Sequence, residues 1–83
     1  MKITVFTTEN CPNSLEAKKV CEEVAQENDL KCEELDIIDH KIEAYSRQIV
    51  SAPSIEIGEE VVFRGQVPSR DALLAEIEKR KGE

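Results

Sequence analysis

KITVFTTENCPNSLEAKKVCEEVAQEN, residues 2–28, contains the change of period that decides the architecture. In residues 2–7, Ile3 and Val5 alternate with Lys2 and Thr4 in a β-branched, aromatic run, which predicts a strand leading into the polar turn Thr8-Glu9-Asn10. Over residues 13–28 the period becomes helical. Ala17, Val20, Cys21 and Val24 recur at i, i+3, i+4 and i+7, with Glu16, Lys18, Lys19, Glu22 and Glu23 around them. Pro12 suits the first turn, because its φ is preset and its missing N–H would have had no partner there. Cys11 therefore falls at or beside the N-cap.

That position is chemically distinctive. A thiolate is stabilised at a helix N-terminus, where unpaired N–H groups and the positive end of the helix dipole converge. The N–H groups near Asn13 and Ser14 are expected to point toward the Cys11 sulfur. Ser14, three residues on, places a hydroxyl on the same side, able to donate to a thiolate but unable to form a disulfide.

Working outward, Asn28-Asp29 closes the helix, and residues 31–38 predict a second strand with Leu35 and Ile37 on one face. From Asp39, a candidate N-cap, to Val50, a second helix is expected, with Ile42, Tyr45 and Ile49 as its buried stripe. Ser51-Ala52-Pro53 ends it, since the residue before proline is driven to extended geometry. Residues 54–57 and 61–64 read as a hairpin around Gly58-Glu59-Glu60, closed by Gly65. Ser69 is the natural N-cap of a last helix. Its buried stripe is Leu73, Leu74 and Ile77, with Lys79, Arg80 and Lys81 at the negative end of the dipole.

The resulting order is β-α-β-α-β-β-α. A strand, helix and strand in about 36 residues form a right-handed crossover with parallel strands, and the hairpin adds antiparallel ones. The expectation is an α/β domain spanning residues 1–83, a four-stranded mixed sheet with helices on both faces.

Composition narrows the function. The 83 residues include 18 acids and 11 bases, a formal charge of −7. Scattered lysines and arginines on an acidic chain argue against nucleic acid, whose phosphates require clustered cations. No apolar run approaches the roughly 20 residues of a membrane helix. Three cysteines cannot build a disulfide framework, so a soluble, cytoplasmic protein is expected, and it is taken as a monomer. Cys11, Cys21, Cys32 and the single His40 lack the paired spacing of a zinc site, and no metal is expected. His40 is read as an exposed first-turn residue.

The element order, the Cys11-Pro12-Asn13-Ser14 turn between first strand and first helix, and Ala52-Pro53 before the third strand together resemble the thioredoxin superfamily. The likeness is to its small, glutaredoxin-like form and covers residues 2–81. The resemblance implies a thiol-disulfide oxidoreductase with Cys11 as nucleophile on a protein or low-molecular-weight disulfide. Pro53 would be the family's cis-proline, holding the Ala52 backbone beside the sulfur so that an extended substrate can pair with it. Asn13 would be a variable rim position. Gly65 would let the backbone pass close to the active-site turn, although the end of a hairpin accounts for it equally well.

Ser14 stands where the family usually places its resolving cysteine. A natural monothiol redoxin and a Cys-to-Ser replacement are both compatible with it, and the ordinary dithiol cycle is absent in either case. Cys21 cannot substitute, because ten helical residues separate it from Cys11 by roughly 15 Å, against the 5.5 Å or so between the Cα atoms of a disulfide. Cys21 is read as a buried small hydrophobe, while the exposure of Cys32 is left open.

Related glutaredoxins carry a basic residue before the turn, a Thr-Val-Pro segment and a Gly-Gly pair. Here the stretches read Thr7-Thr8-Glu9-Asn10, Ser51-Ala52-Pro53-Ser54 and Arg64-Gly65-Gln66-Val67-Pro68-Ser69. Glu9 has the wrong charge for a glutathione carboxylate. No cofactor is expected beyond a low-molecular-weight thiol such as glutathione. The partners implied are a disulfide-containing protein and an upstream reductase or small thiol. Two alternatives remain at this point: a redox-inactive peptide-binding module, and a monothiol iron-sulfur carrier, whose usual turn is Cys-Gly-Phe-Ser.

Overall fold

Both faces of the first strand are covered, although its sequence alternates like a half-exposed one. The computed structural model describes residues 1–81. Its elements are β1 (Lys2–Thr7), α1 (Pro12–Glu27), β2 (Lys31–Asp36), α2 (Lys41–Ser46), β3 (Ser54–Ile57), β4 (Glu60–Arg64) and α3 (Arg70–Lys81). The strand order is β2-β1-β3-β4, with β1 parallel to β2 and antiparallel to β3, and β3 antiparallel to β4. The expected α/β architecture with a four-stranded mixed sheet is the one observed.

Because β1 lies between β2 and β3, Ile3, Thr4, Val5, Phe6 and Thr7 are all buried. Ile3 and Val5 pack with Ala17, Cys21 and Val24 of α1 and with Leu73 and Ile77 of α3. Phe6 packs on the other face with Ala44 and Ile49. Each fully buried Val, Ile, Leu or Phe contributes roughly 1.5–3 kcal/mol, and all three cysteines are free, so these two cores and not a disulfide hold the elements together.

The second helix departs from expectation. It spans six residues rather than running from Asp39 to Val50, and Ala44 is its one buried residue. Ile42 and Tyr45 are 82% and 85% exposed, so the predicted Ile42/Tyr45/Ile49 stripe does not form. The cause is a Schellman reversal. Gln48 enters the left-handed region at φ 57°, its N–H reaches the Tyr45 carbonyl at 2.9 Å, and the Ile49 N–H reaches Ala44 at 2.9 Å. That reversal folds Ile49 onto Phe6 from outside the helix. Gln48 does what glycine usually does, so no glycine marked the stop.

Asp29, also at φ 57°, ends α1 in the same way, with the Leu30 N–H on Ala25 at 2.8 Å. Smaller corrections follow from pairing. β2 stops at Asp36, whose carboxylate accepts the Ile38 N–H at 2.8 Å and turns the chain. Ile57 pairs with Glu60, so the hairpin turn is the two residues Gly58-Glu59, with Gly58 at φ 64°. Ser69 caps α3 through the Ala72 N–H at 3.1 Å, and of the expected stripe Leu73 and Ile77 are buried while Leu74 is half-buried.

Candidate functional site

Everything proposed for the site gathers at one pole of the sheet. Phe6 pairs with Ser54, and Ser54 with Arg64. The C-terminal end of β1, the start of β3 and the end of β4 therefore meet there.

Cys11 is the N-cap of α1, with extended dihedrals and its carbonyl accepting the Leu15 N–H at 3.3 Å. The left-handed Asn10, at φ 57°, turns the chain from the β1 loop into this cap. The Cys11 side chain makes no capping hydrogen bond, so the first-turn N–H groups remain for a thiolate. Pro12 occupies the first helical turn and is exposed, as is Asn13.

Ser14 is buried, on the inner side of α1 one turn before Ala17. Its Oγ accepts the Thr8 N–H at 3.3 Å, which leaves its own proton free to face the sulfur. The Ser14 hydroxyl, followed by the Ser14 N–H, holds the Cys11 thiol below its ordinary pKa; partial burial opposes this, and the Asn13 N–H and Thr8 hydroxyl assist.

An open groove of about 480 Å³ runs beside the sulfur, lined by Thr7, Thr8, Asn10, Cys11, Pro12, Ser14, Leu15 and Glu34. Glu34 was not singled out in the sequence. It reaches the groove because β2 lies parallel beside β1, and its Oε2 accepts the Thr7 hydroxyl at 2.9 Å. Lys18 sits 3.0 Å from the other carboxylate oxygen. This partner, with help from Thr7, keeps the Glu34 carboxyl below the usual carboxylate range, and Lys18 is raised in turn.

Ala52, Pro53 and Gly65 form a neighbouring cluster that does not line this groove. The Ala52–Pro53 peptide is cis. Pro53 is buried and Ala52 half-buried, and the Pro53 carbonyl accepts the Gln66 N–H at 3.1 Å. Ser54 Oγ donates to the Ser51 carbonyl at 2.8 Å and accepts the Gly65 N–H at 3.3 Å. Gly65 has φ 70°, and a Cβ there would stand 2.7 Å from Ser51 Oγ. The glycine thus admits the strand end against the Ser51–Ser54 loop rather than against the Cys11 turn.

The other thiols are remote from this chemistry. Cys21 is fully buried in the core, and burial pushes its thiol up to about 12. Cys32 is half-buried against the same core and is pushed up to about 11, again chiefly by burial. His40 is the N-cap of α2, half-buried, with Nδ1 3.7 Å from Glu43. Among the described residues no group of three or more His, Cys, Asp or Glu side chains is placed to hold a metal ion, and no helix is long and apolar enough to cross a membrane.

Chemically, the arrangement offers a half-buried sulfur whose pKa is lowered, with a hydroxyl and two N–H groups to receive the charge of a thiolate. The thioredoxin domain family model matches residues 1–78. A thioredoxin of Methanocaldococcus jannaschii is 35% identical over 82 residues, spanning 96% of this chain and 95% of that protein. Thioredoxin 1 from Thermosipho africanus superposes with a TM-score of 0.81 at 20% identity, covering 99% of this chain and 96% of its own. Reduced glutaredoxin of Escherichia coli superposes with a TM-score of 0.65 at 18% identity, each chain covered in full.

Proposed function

This chain belongs to the thioredoxin family, and on that footing we propose that it is a thiol-disulfide oxidoreductase whose nucleophile is Cys11. The observation that carries the reading is the Cys11–Ser14 arrangement. A cysteine at a helix start faces a buried serine hydroxyl whose oxygen is already engaged by the Thr8 N–H.

In the first step the Cys11 thiolate attacks one sulfur of a substrate disulfide. A Cys11–substrate disulfide forms, the substrate S–S bond breaks, and the second substrate sulfur leaves as a thiolate that takes a proton from water. Ser14 cannot complete an internal exchange, because an oxygen supplies no resolving thiol. An external thiolate, from a low-molecular-weight pool or an upstream reductase, then attacks the substrate sulfur of the mixed disulfide: a disulfide between substrate and external thiol forms, the Cys11–substrate S–S bond breaks, and Cys11 leaves as the thiolate. The Ala52 carbonyl and N–H, held by Pro53, offer an edge to an extended substrate segment.

The test is pH-dependent alkylation of Cys11, combined with turnover of a small disulfide. Ser14→Ala is expected to move the alkylation midpoint up toward that of an ordinary thiol, and Cys11→Ser to abolish turnover. Ser14→Cys is expected to create dithiol turnover. An ordinary Cys11 midpoint in the unmodified chain, unmoved by Ser14→Ala, would favour a peptide-binding module without redox activity.

A further inference from the structure

Among the described residues, Glu34 is the one charged side chain lining the groove beside Cys11; the remaining seven lining residues are neutral except for the Cys11 sulfur itself. Both of its carboxylate oxygens are held, one by the Thr7 hydroxyl at 2.9 Å and the other by Lys18 at 3.0 Å. Such anchoring fixes where the charge stands. A glutamate is ionised at neutral pH in any case, and these partners lower its pKa further. Lys18 pairs with the carboxylate at 3.0 Å and offsets part of its charge, but it is not among the residues lining the groove, so the acid is the member of the pair that a ligand lying against Cys11 meets first. Glu9, exposed in the loop before Cys11, adds charge of the same sign on a chain that is already at −7.

We propose that Glu34 makes this groove selective for disulfides that carry positive charge close to the reacting sulfur, so that anionic low-molecular-weight disulfides are its poorest substrates. The inference rests on the thiol-disulfide reading above and names the substrate class of that same site. The physical reason is proximity. Charges inside a groove lie within the Debye length of about 10 Å at 0.1 M salt, so a substrate ammonium is drawn in and a carboxylate repelled. A single exposed, partly screened charge contact of this kind corresponds to at most about a fivefold rate difference, and attraction of the cation together with repulsion of the anion gives a ratio of about 3–10.

The experiment measures second-order rates of Cys11 with cystamine (cationic), hydroxyethyl disulfide (neutral) and oxidised glutathione (anionic). Each rate is normalised to that of a small free thiol with the same disulfide, to remove intrinsic reactivity. The unmodified chain is expected to give a cationic-to-anionic ratio of about 3–10, falling as salt is raised. Glu34→Gln should bring the ratio toward one and Glu34→Lys should invert it. Glu78→Gln, which changes the net charge equally from an exposed position on α3, should leave it unchanged.

A ratio near one in the unmodified chain would overturn the proposal. So would a ratio unchanged by both Glu34 substitutions, or one shifted as far by Glu78→Gln as by Glu34→Gln. Failure of the neutral disulfide to react at all would overturn the thiol-disulfide reading itself, and the two failures are distinguished in this way.

Discussion

Replacing Arg47 by methionine strands a buried carboxylate, and its cost can be bounded from the geometry. Arg47 Nε donates to Glu56 Oε2 at 2.6 Å, and the Glu56 side chain is 6% exposed. One Arg47 NH group donates to the Glu43 carbonyl at 2.9 Å, and the guanidinium carbon lies 5.6 Å from the centre of the Phe6 ring. Removing one partner of a fully buried ion pair costs about 3–5 kcal/mol, whereas an exposed pair is worth about 0–1 kcal/mol.

The Arg47 side chain is 34% exposed, so water reaches the pair through the guanidinium while the carboxylate stays buried. The loss therefore falls between the two limits, at about 2–3 kcal/mol. At roughly 4–8 °C per kcal/mol for a domain of this size, the thermal midpoint drops by about 10–20 °C. Urea unfolding of Arg47→Met, Glu56→Gln and the double variant measures this directly. The double variant is expected to be more stable than Arg47→Met alone, because no stranded charge remains. Cys11 alkylation should be unchanged, since Arg47 braces the Phe6 face and lies outside the groove. A loss below about 0.5 kcal/mol, or strictly additive single changes, would refute the reasoning.

Thiol reactivity should rank with the environments of the three cysteines. In native protein near pH 7.5, iodoacetamide is expected to label Cys11 first by peptide mass spectrometry, with Cys21 and Cys32 protected because burial pushes them to about 12 and about 11. Gly65→Ala should cost about 1–2 kcal/mol in chemical denaturation, from the left-handed backbone and the Cβ set against Ser51; a neutral effect would contradict that contact. The Lys18–Glu34 pair predicts a signed pH dependence. Glu34, lowered on folding, stabilises above its unfolded pKa, and the contribution is lost as pH falls through the folded value. Lys18, raised on folding, stabilises below its unfolded pKa, and that contribution is lost as pH rises through the folded value. Lys18→Met should therefore lose stability at neutral pH relative to the extremes, read as urea midpoints at acidic, neutral and alkaline pH.

Most of the architecture was legible where the signals are local. The 3.6-residue period of Ala17, Val20, Cys21 and Val24, the Ser69 cap and the Gly58 turn each express a preference that a few neighbouring residues satisfy among themselves. The second helix was misread for a related reason. Ile42 and Tyr45 satisfy a helical period, yet their face has no partner, and the stop at Gln48 uses a left-handed residue that is not glycine. Periodicity reports which side chains share a face, and cannot report whether anything covers it.

The same division runs through the site. Cys11 at the start of α1, with Pro12 behind it and Ser14 one turn on, was determined by the chain itself, because capping and helix phase act over four residues. Only the tertiary structure decided that Glu34, twenty-three positions further along, stands in the groove. That depends on β2 lying parallel beside β1 and on Lys18 and Thr7 gripping the carboxylate from two other elements. The register of a parallel strand follows from how the crossover helix packs, a balance of many weak contacts that no local run of residues encodes.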